Sequence, residues 1–245
     1  MSTADKKWIG LPIIIVLFSA LILAGCTKPE IITDPMSLNV TAAATDSSAF
    51  IEAGCIDPGN GRLNCSSIGL EEKFSCEEVR VPDNLGGLSP KVPIVECNVL
   101  IKNQTDDNAG IVREGCLWPL FRKYVIIEDG EYKIIGTKEE FIQFFAPVES
   151  PEEALAFAVA LTNSYAVYNL TIPSNYNVFV SKIRTTYVEE TDIGFKVHLF
   201  FSQSCGCGNH PYYSIDYLVN NSGEIKETSS EKIYENPEFA GLCVD

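Results

Sequence analysis

The segment SCGCGNH places two cysteines and a histidine within six positions, a spacing that could support metal or redox chemistry. Cys205, Cys207 and His210, together with Cys116 or Cys243, would supply the four ligands of a tetrahedral zinc site. A bond between Cys205 and Cys207 would instead form a strained, easily reduced ring. Each of the two cysteines could also belong to an ordinary disulfide with a distant partner. The compartment in which the chain folds decides among these three hypotheses.

The N-terminal sequence predicts export and a membrane anchor. Lys6 and Lys7 precede an uncharged stretch from residue 8 to residue 27, as in secretory signals. The tetrapeptide LAGC that ends at Cys26 resembles the lipobox of prokaryotic lipoprotein signals. This resemblance implies that residues 1–25 are a signal peptide, removed before Cys26, and that the Cys26 thiol carries diacylglycerol. The alternative is an uncleaved anchor helix, since twenty uncharged residues reach about 30 Å. Both place the remaining chain outside the membrane.

The exported part of the chain is strongly acidic. The whole sequence carries 33 acidic and 18 basic residues and a net charge of −15. Removal of Asp5, Lys6 and Lys7 with the signal peptide leaves a net charge near −16. Such a charge favours solubility and repels nucleic acid and anionic headgroups. Nucleic acid is therefore excluded as a main partner.

Composition divides the exported part into three segments. Residues 26–50 are rich in Thr, Ser, Ala, Asp and Pro, which predicts a flexible tether above the membrane. Residues 51–120 contain five cysteines and the turn signals DPGNG and NLGG, which indicate a small disulfide-stapled β region. Residues 121–245 carry stronger helix and strand patterns, which predict an α+β domain.

A hairpin and two helices are predicted at the start of this last segment. The Asp-Gly pair at 129–130 lies between two apolar runs and indicates a β-hairpin. Thr137 and Glu140 have the spacing of a capping box, and Ser150 before a proline is a typical N-cap. The helix after Ser150, with the sequence EEALAFAVAL, is apolar on nearly every side. Such a helix must be covered on several sides, so we expect it in the core.

Four strand patterns follow this helix and predict an antiparallel meander. In the second of them, apolar residues alternate with Lys196 and His198, as in a sheet with one buried face. The predicted fold class is α+β, with a buried helix packed on the four-strand meander and a stapled β-rich region before it. This element order is similar to that of cystatin-like and NTF2-like folds, by analogy of order alone. The four patterns cover residues 181–190, 195–203, 212–219 and 224–229.

Eight of the nine cysteines remain for disulfides if Cys26 carries lipid, and an even number agrees with an oxidising compartment. Cys55 and Cys65 lie symmetrically about the DPGNG turn, and Cys76 and Cys97 about the glycine pair of NLGG. Residues equidistant from a hairpin turn face each other at Cα separations of about 4.5–5.5 Å, a distance that a disulfide can bridge. We therefore predict the pairs Cys55–Cys65 and Cys76–Cys97.

The other four cysteines can pair in three ways. Two of them join Cys205 and Cys207 separately to Cys116 and Cys243, and the third forms the Cys205–Cys207 ring. Separate disulfides are the preferred interpretation, because an exported zinc–thiolate site competes with oxidation. A reactive thiol would need a nearby cation, and His210 is the only candidate. All eight cysteines are thus predicted to be structural, with no metal and no cofactor.

Motifs typical of catalysis are missing from the sequence, which has no Gly-x-Ser-x-Gly, His-Glu-x-x-His or phosphate-binding loop. His198 is interpreted as a packed or solvated strand residue, and no catalytic residue is predicted. The expected function is that of a non-catalytic, lipid-anchored extracytoplasmic module that binds or supports an envelope protein or peptide. It would contact the membrane through the lipid on Cys26. The alternative is an envelope thiol-redox or zinc-binding protein that acts through Cys205, Cys207 and His210.

Overall fold

The computed structural model describes residues 28–33, 44–100, 110–116 and 118–244. The predicted signal peptide and Cys26 lie outside the described residues. The α-helices are α1 Ser48–Ala53, α2 Leu70–Phe74, α3 Lys138–Phe145 and α4 Pro151–Leu161. The strands are β1 Glu30–Ile32, β2 Arg62–Leu63, β3 Glu78–Arg80, β4 Ile94–Leu100, β5 Val112–Glu114, β6 Leu120–Glu128, β7 Glu131–Ile135, β8 Asn177–Val178, β9 Lys182–Arg184, β10 Tyr187–Thr191, β11 Gly194–Ser202, β12 Gly206–Gly208, β13 Tyr212–Val219, β14 Ile225–Glu235 and β15 Leu242–Val244.

The first large sheet has the strand order β2-β3-β4-β6-β5, and β7 pairs with the C-terminal half of β6. All of its strand pairs are antiparallel. One face covers a small core in which the cysteines at 55, 65, 76 and 97 are all buried. Phe50 of α1 and Val95 of β4 are fully buried among them. The disulfides in this half are therefore part of a packed core.

The β6–β7 hairpin confirms the sequence prediction. Glu128 and Glu131 are the last paired residues, so Asp129 and Gly130 form a two-residue loop. Both loop residues have positive φ angles, 54° and 78°. A two-residue turn with positive φ at both positions matches the right-handed twist of its strands, which is why Asp-Gly favours it.

The second large sheet has the order β10-β11-β13-β14-β8, so the predicted four-strand meander is present with β8 added at one edge. The strand predicted over residues 181–190 is divided. Thr185 and Thr186 are buried, and their amide groups donate to Ile32 and Val167 instead of to the sheet. Consequently β9 leaves the meander and pairs in parallel with β1.

Helix α4 lies between the two large sheets. Its Ser150 cap accepts a hydrogen bond from the Glu153 amide at 3.2 Å, and the Glu153 carboxylate closes a capping box. Leu155 and Phe157 are at most 1% exposed. The helix packs on β10, β11, β13 and β14, while Tyr124 of β6 donates to Ala160 O on the opposite side. Two covering sheets explain why the helix is apolar all round.

Two predicted boundaries cross regular structure. The sequence places a division after residue 120, but β6 begins at Leu120 and pairs with β4, and one core contains Leu88 and Ile94 together with Leu155. The sequence also predicts a flexible tether over residues 26–50. Within it, β1 is paired with β9, and residues 48–50 begin α1. Local composition did not indicate the β4–β6 or the β1–β9 pairing, because in each case the partner strand lies in a different segment of the chain.

Candidate functional site

The SCGCGNH segment, residues 204–210, is held by two disulfides with different partners. Cys205 pairs with Cys116 at a Cα separation of 5.7 Å, and Cys207 pairs with Cys243 at 4.0 Å. Cys207 and Cys243 also face each other in the antiparallel pair β12–β15. Of the three possible pairings, the structure adopts one with separate bridges. The pairs Cys55–Cys65 and Cys76–Cys97, predicted from the sequence, are also present.

His210 links the same segment to the C-terminal tail. Its ring is buried, with Nδ1 3.0 Å from Gln203 O and Nε2 3.0 Å from Leu242 O. A neutral imidazole has one N–H and can donate to one of these oxygens, whereas an imidazolium donates to both. Among the residues that the structure describes, no group of three or more His, Cys, Asp or Glu side chains could hold a metal ion. With its sulfurs in disulfides, the SCGCGNH segment offers no thiolate to a zinc ion in this form.

A polar cleft of about 460 Å³ opens beside the Cys116–Cys205 bridge, between the ends of the two large sheets. We call it the inter-sheet cleft. Its walls come from β3, β5 and β6 on one side and from the end of β11 and the following loop on the other. The C-terminal end of α4 lies between these walls. The lining residues are Arg80, Val81, Pro82, Asp83, Glu96, Arg113, Glu114, Gly115, Arg122, Tyr124, Val159, Asn163, Ser164, Tyr165, Phe201, Ser202, Gln203, Ser204 and Cys205.

Arg122 forms the floor of the inter-sheet cleft. Its Nη1 donates to Val159 O and Thr162 O, each at 3.2 Å, and so satisfies carbonyl groups at the end of α4. A cation is favourable there because the C-terminal end of a helix carries partial negative charge. Its other nitrogens contact two carboxylates, Glu114 and Glu96, the latter at 3.3 Å. These contacts hold the guanidinium in one position.

Burial sets the protonation of the groups beside Arg122. Desolvation raises the pKa of the Glu96 carboxyl, although the charge of Arg122 and a 2.7 Å hydrogen bond from Asn98 oppose that rise. Burial also raises the pKa of Tyr124, whose hydroxyl therefore stays protonated and donates to Ala160 O at 3.2 Å. The floor of the cleft is thus a fixed polar network on the end of α4.

The rim of the cleft is exposed and carries groups that can still bind a ligand. Arg113, Asn163, Gln203 and Ser204 are exposed there. Arg113 Nη2 donates to Cys116 O at 3.1 Å, and within the described part of the chain no carboxylate forms a salt bridge with it. Each of its guanidinium nitrogens has further N–H groups to donate. The rim therefore favours an anionic or carbonyl-rich ligand.

A second polar cluster lies on the outer face of the meander. His198 Nδ1 is 2.6 Å from Asp216 Oδ1, and Ser229 donates to the other carboxylate oxygen at 3.1 Å. Tyr187 stacks on the imidazole at a ring distance of 4.9 Å. Although partial burial raises the pKa of Asp216, the hydrogen bond from His198 and the charge of Lys196 lower it overall. His198 is thus packed into the sheet, as interpreted from its position in the strand.

Sequence reasoning did not identify the residues of the inter-sheet cleft. Arg122 has the pattern of an ordinary polar strand residue, and its helix partners lie 37 and 40 positions further along the chain. One signal was present, because Glu96 and Asn98 interrupt an otherwise apolar strand. Charged residues inside such a strand indicate a buried polar contact.

Comparison of the chain with protein-family models, with curated proteins and with solved structures found no significant match. None of the helices in the described ranges combines the length and the apolar character needed to cross a membrane. The four disulfides are consistent with an extracytoplasmic protein.

Proposed function

We propose that this protein is a lipid-anchored extracytoplasmic binding module whose inter-sheet cleft holds a short peptide end or another small carboxylate. The lipobox-like sequence before Cys26 supports the anchor, and four disulfides support the compartment. The order of a buried helix and a meander predicted from the sequence is similar to that of cystatin-like and NTF2-like folds by analogy alone, which is compatible with a binding role but does not define it.

The observation that carries the proposal is the contrast between the floor and the rim of the cleft. The floor is fixed, since Arg122 and Tyr124 are occupied by the end of α4. The rim instead offers the guanidinium of Arg113 and the amide of Gln203 to an incoming group. A guanidinium recognises a carboxylate through two parallel hydrogen bonds. A rigid site with unoccupied donors at its edge suits recognition of a terminal carboxylate.

A non-catalytic role agrees with the chemistry of the cleft. The chain has two histidines, and neither His198 nor His210 lines it. The cleft's cysteine, Cys205, is in a disulfide. Of the three acids that line the cleft, Glu96 and Glu114 are paired with Arg122, and Asp83 is exposed to solvent. The cleft residues thus have the arrangement of a binding site.

Calorimetric titration with a matched pair of probes tests this proposal. N-acetylglycylglycine with a free carboxylate is expected to bind the mature protein. Its amide is expected to bind at least about tenfold more weakly, because a charge-assisted hydrogen bond contributes about 1.5–3 kcal/mol. Arg113→Gln should lower the affinity for the acid to that of the wild-type protein for the amide. Arg62→Gln removes an exposed arginine that does not line the cleft and should change neither affinity.

Two results would count against carboxylate binding in the cleft. One is equal affinity for the acid and the amide, including no measurable binding of either. The other is an Arg113→Gln variant that binds the acid as tightly as the wild type. Mass measurement of the mature N-terminus tests the anchor separately, since an intact Met1 would exclude lipidation at Cys26.

A further inference from the structure

A second, largely apolar groove lies where the described chain begins. We call it the anchor-proximal groove. It has a volume of about 780 Å³, and apolar side chains line most of it. Phe179 on its rim is 49% exposed, an unusual exposure for a phenylalanine. The residues that define the groove here are Lys28, Ile31, Leu170, Ile172, Tyr176 and Phe179.

Strand β1 fixes the start of the chain to this groove. Glu30, Ile31 and Ile32 pair in parallel with β9, and the Glu30 amide donates to Ser181 O at 2.9 Å. Ile31 packs against a small core that includes Phe200. The chain therefore enters the folded body at Lys28, along the edge of the groove.

Covalent geometry brings the predicted anchor to the same place. Cys26 is two residues before Lys28, and two extended residues span at most about 7 Å. If Cys26 carries diacylglycerol, as the proposed function holds, the edge of the groove lies within about that distance of the glycerol group. No long tether would then separate this face from the bilayer.

The charge around the groove differs from that of the whole protein. Three lysines lie at or beside it, in a mature chain with a net charge near −16. Lys232 Nζ lies 4.1 Å from the ring centre of Phe179. The nearby acids Glu30 and Glu235 are paired with lysines at 3.3 Å and 2.5 Å, and Glu238 is the third acid in this region. The lysines are Lys28, Lys182 and Lys232.

We propose that the anchor-proximal groove rests on the surface of the bilayer that holds the lipid of Cys26. Phe179 and Leu170 would enter the boundary between headgroups and acyl chains, and the surrounding lysines would contact phosphates. The acidic remainder of the protein would be repelled from the same surface. The anchor and the groove together then give the protein one orientation, with this face toward the membrane.

Fluorescence quenching by lipid tests the proposal on the mature, lipidated protein. Trp118 is the single tryptophan after residue 25, so Trp118→Phe gives a silent background. Phe179→Trp in that background reports on the groove. Ile193→Trp is the control, because Ile193 is 65% exposed and lies at the far end of β11, about 25 Å along the sheet. Both variants are reconstituted into phosphatidylglycerol–phosphatidylcholine vesicles whose phosphatidylcholine carries brominated acyl chains.

We expect the Phe179→Trp protein to be quenched at least about twofold more strongly than the Ile193→Trp protein, with emission shifted to shorter wavelength, because only the former reaches brominated chains. Equal quenching of the two would overturn the proposal. The emission of the Phe179→Trp protein could instead shift completely on addition of monomeric decanoate and change no further on vesicles. That result would identify a site for single lipid molecules and would also overturn the proposal. Mass measurement of the same samples shows whether Cys26 is lipidated. It therefore distinguishes a protein that lacks the lipid anchor from an anchored protein whose groove does not contact the bilayer.

Discussion

Removal of the Cys207–Cys243 disulfide tests whether the SCGCGNH segment is a structural clamp. We expect the double variant Cys207→Ala/Cys243→Ala to fold with both large sheets intact and to lose order only around β12 and β15. Both cysteines are exposed, so the substitutions open no buried cavity. The loss in free energy of unfolding should therefore come from the conformational entropy that the unfolded chain gains without the disulfide. The bridge spans a sequence separation of 36, for which the chain-entropy relation gives about 3.8 kcal/mol.

The Cys116–Cys205 bridge provides the comparison. The four disulfides close loops that do not overlap in sequence, so the same relation applies to each one separately. A sequence separation of 89 gives about 4.6 kcal/mol for Cys116–Cys205. We therefore expect the Cys116→Ala/Cys205→Ala variant to lose about 0.8 kcal/mol more than the Cys207→Ala/Cys243→Ala variant.

Urea unfolding followed by circular dichroism measures both free energies, and hydrogen exchange locates the loosened residues. Exchange should rise at residues 206–208 and 242–244 and stay unchanged in α4. A loss below about 1 kcal/mol for the Cys207–Cys243 pair, outside the usual effect of a disulfide, would refute the clamp. So would two thiols released from Cys205 and Cys207 alone by a mild reductant, or one zinc ion per wild-type chain. Those results would favour the redox or the zinc hypothesis.

Three further predictions concern the core and its caps. Asp216→Asn should lower the free energy of unfolding by about 1 kcal/mol at pH 7, and the difference from wild type should shrink at pH 3 in urea titrations. The reason is that the pKa of Asp216 is lowered in the fold, so its stabilisation exists above the unfolded value of about 3.9 and disappears as pH falls through the folded value; a difference that grows in acid would contradict it. Ser150→Ala should lower the free energy of unfolding, measured by thermal denaturation, by about 1 kcal/mol because the α4 cap is lost. Ser150→Asp should keep most of the wild-type stability, because Asp is also a good N-cap. Leu155→Ala should cost about 2–5 kcal/mol in urea, because Leu155 is 1% exposed between the two sheets; a loss under 1 kcal/mol would mean that this side of α4 is not covered.

Local signals in the sequence predicted local structure well. The hairpin at Asp129-Gly130 and the helix starts at Thr137 and Ser150 depend on residues within four positions of each other, and the structure has all three. The pairs Cys55–Cys65 and Cys76–Cys97 were predicted from turns, and both are present. The turn accounts for the first pair, which lies beside the Ile56–Asn64 bridge. In the second pair, Cys97 faces Val79 across the β3–β4 ladder and Cys76 lies before β3, so turn symmetry gave the right partner but not the observed register.

Long-range packing explains what the sequence did not predict. The apolar composition of the helix after Ser150 indicated that several of its sides are covered. No local pattern showed that the disulfide-stapled region would supply the second of the two covering sheets. Strand β1 has three residues, too few for a period-2 pattern, and its partner β9 starts at Lys182. The inter-sheet cleft was missed for a similar reason, since Arg122 meets carbonyl groups of α4 that only the assembled fold brings to it.

The two disulfides of the SCGCGNH segment have different mechanical roles. Cys116 follows β5 of the first sheet and Cys205 follows β11 of the second, so their bridge joins the two sheets at the edge of the inter-sheet cleft. Cys207 and Cys243 join only the short pair β12–β15, which closes the loop and the tail onto the body. His210 adds one contact between the same two segments, through Nε2 and Leu242 O at 3.0 Å. A cleft whose walls are covalently joined cannot widen much, so a ligand that fits it would bind a geometry already formed, with little ordering cost. Of the two cysteines that first suggested reactive chemistry, Cys205 thus joins the walls of the cleft and Cys207 holds the C-terminal tail to the loop.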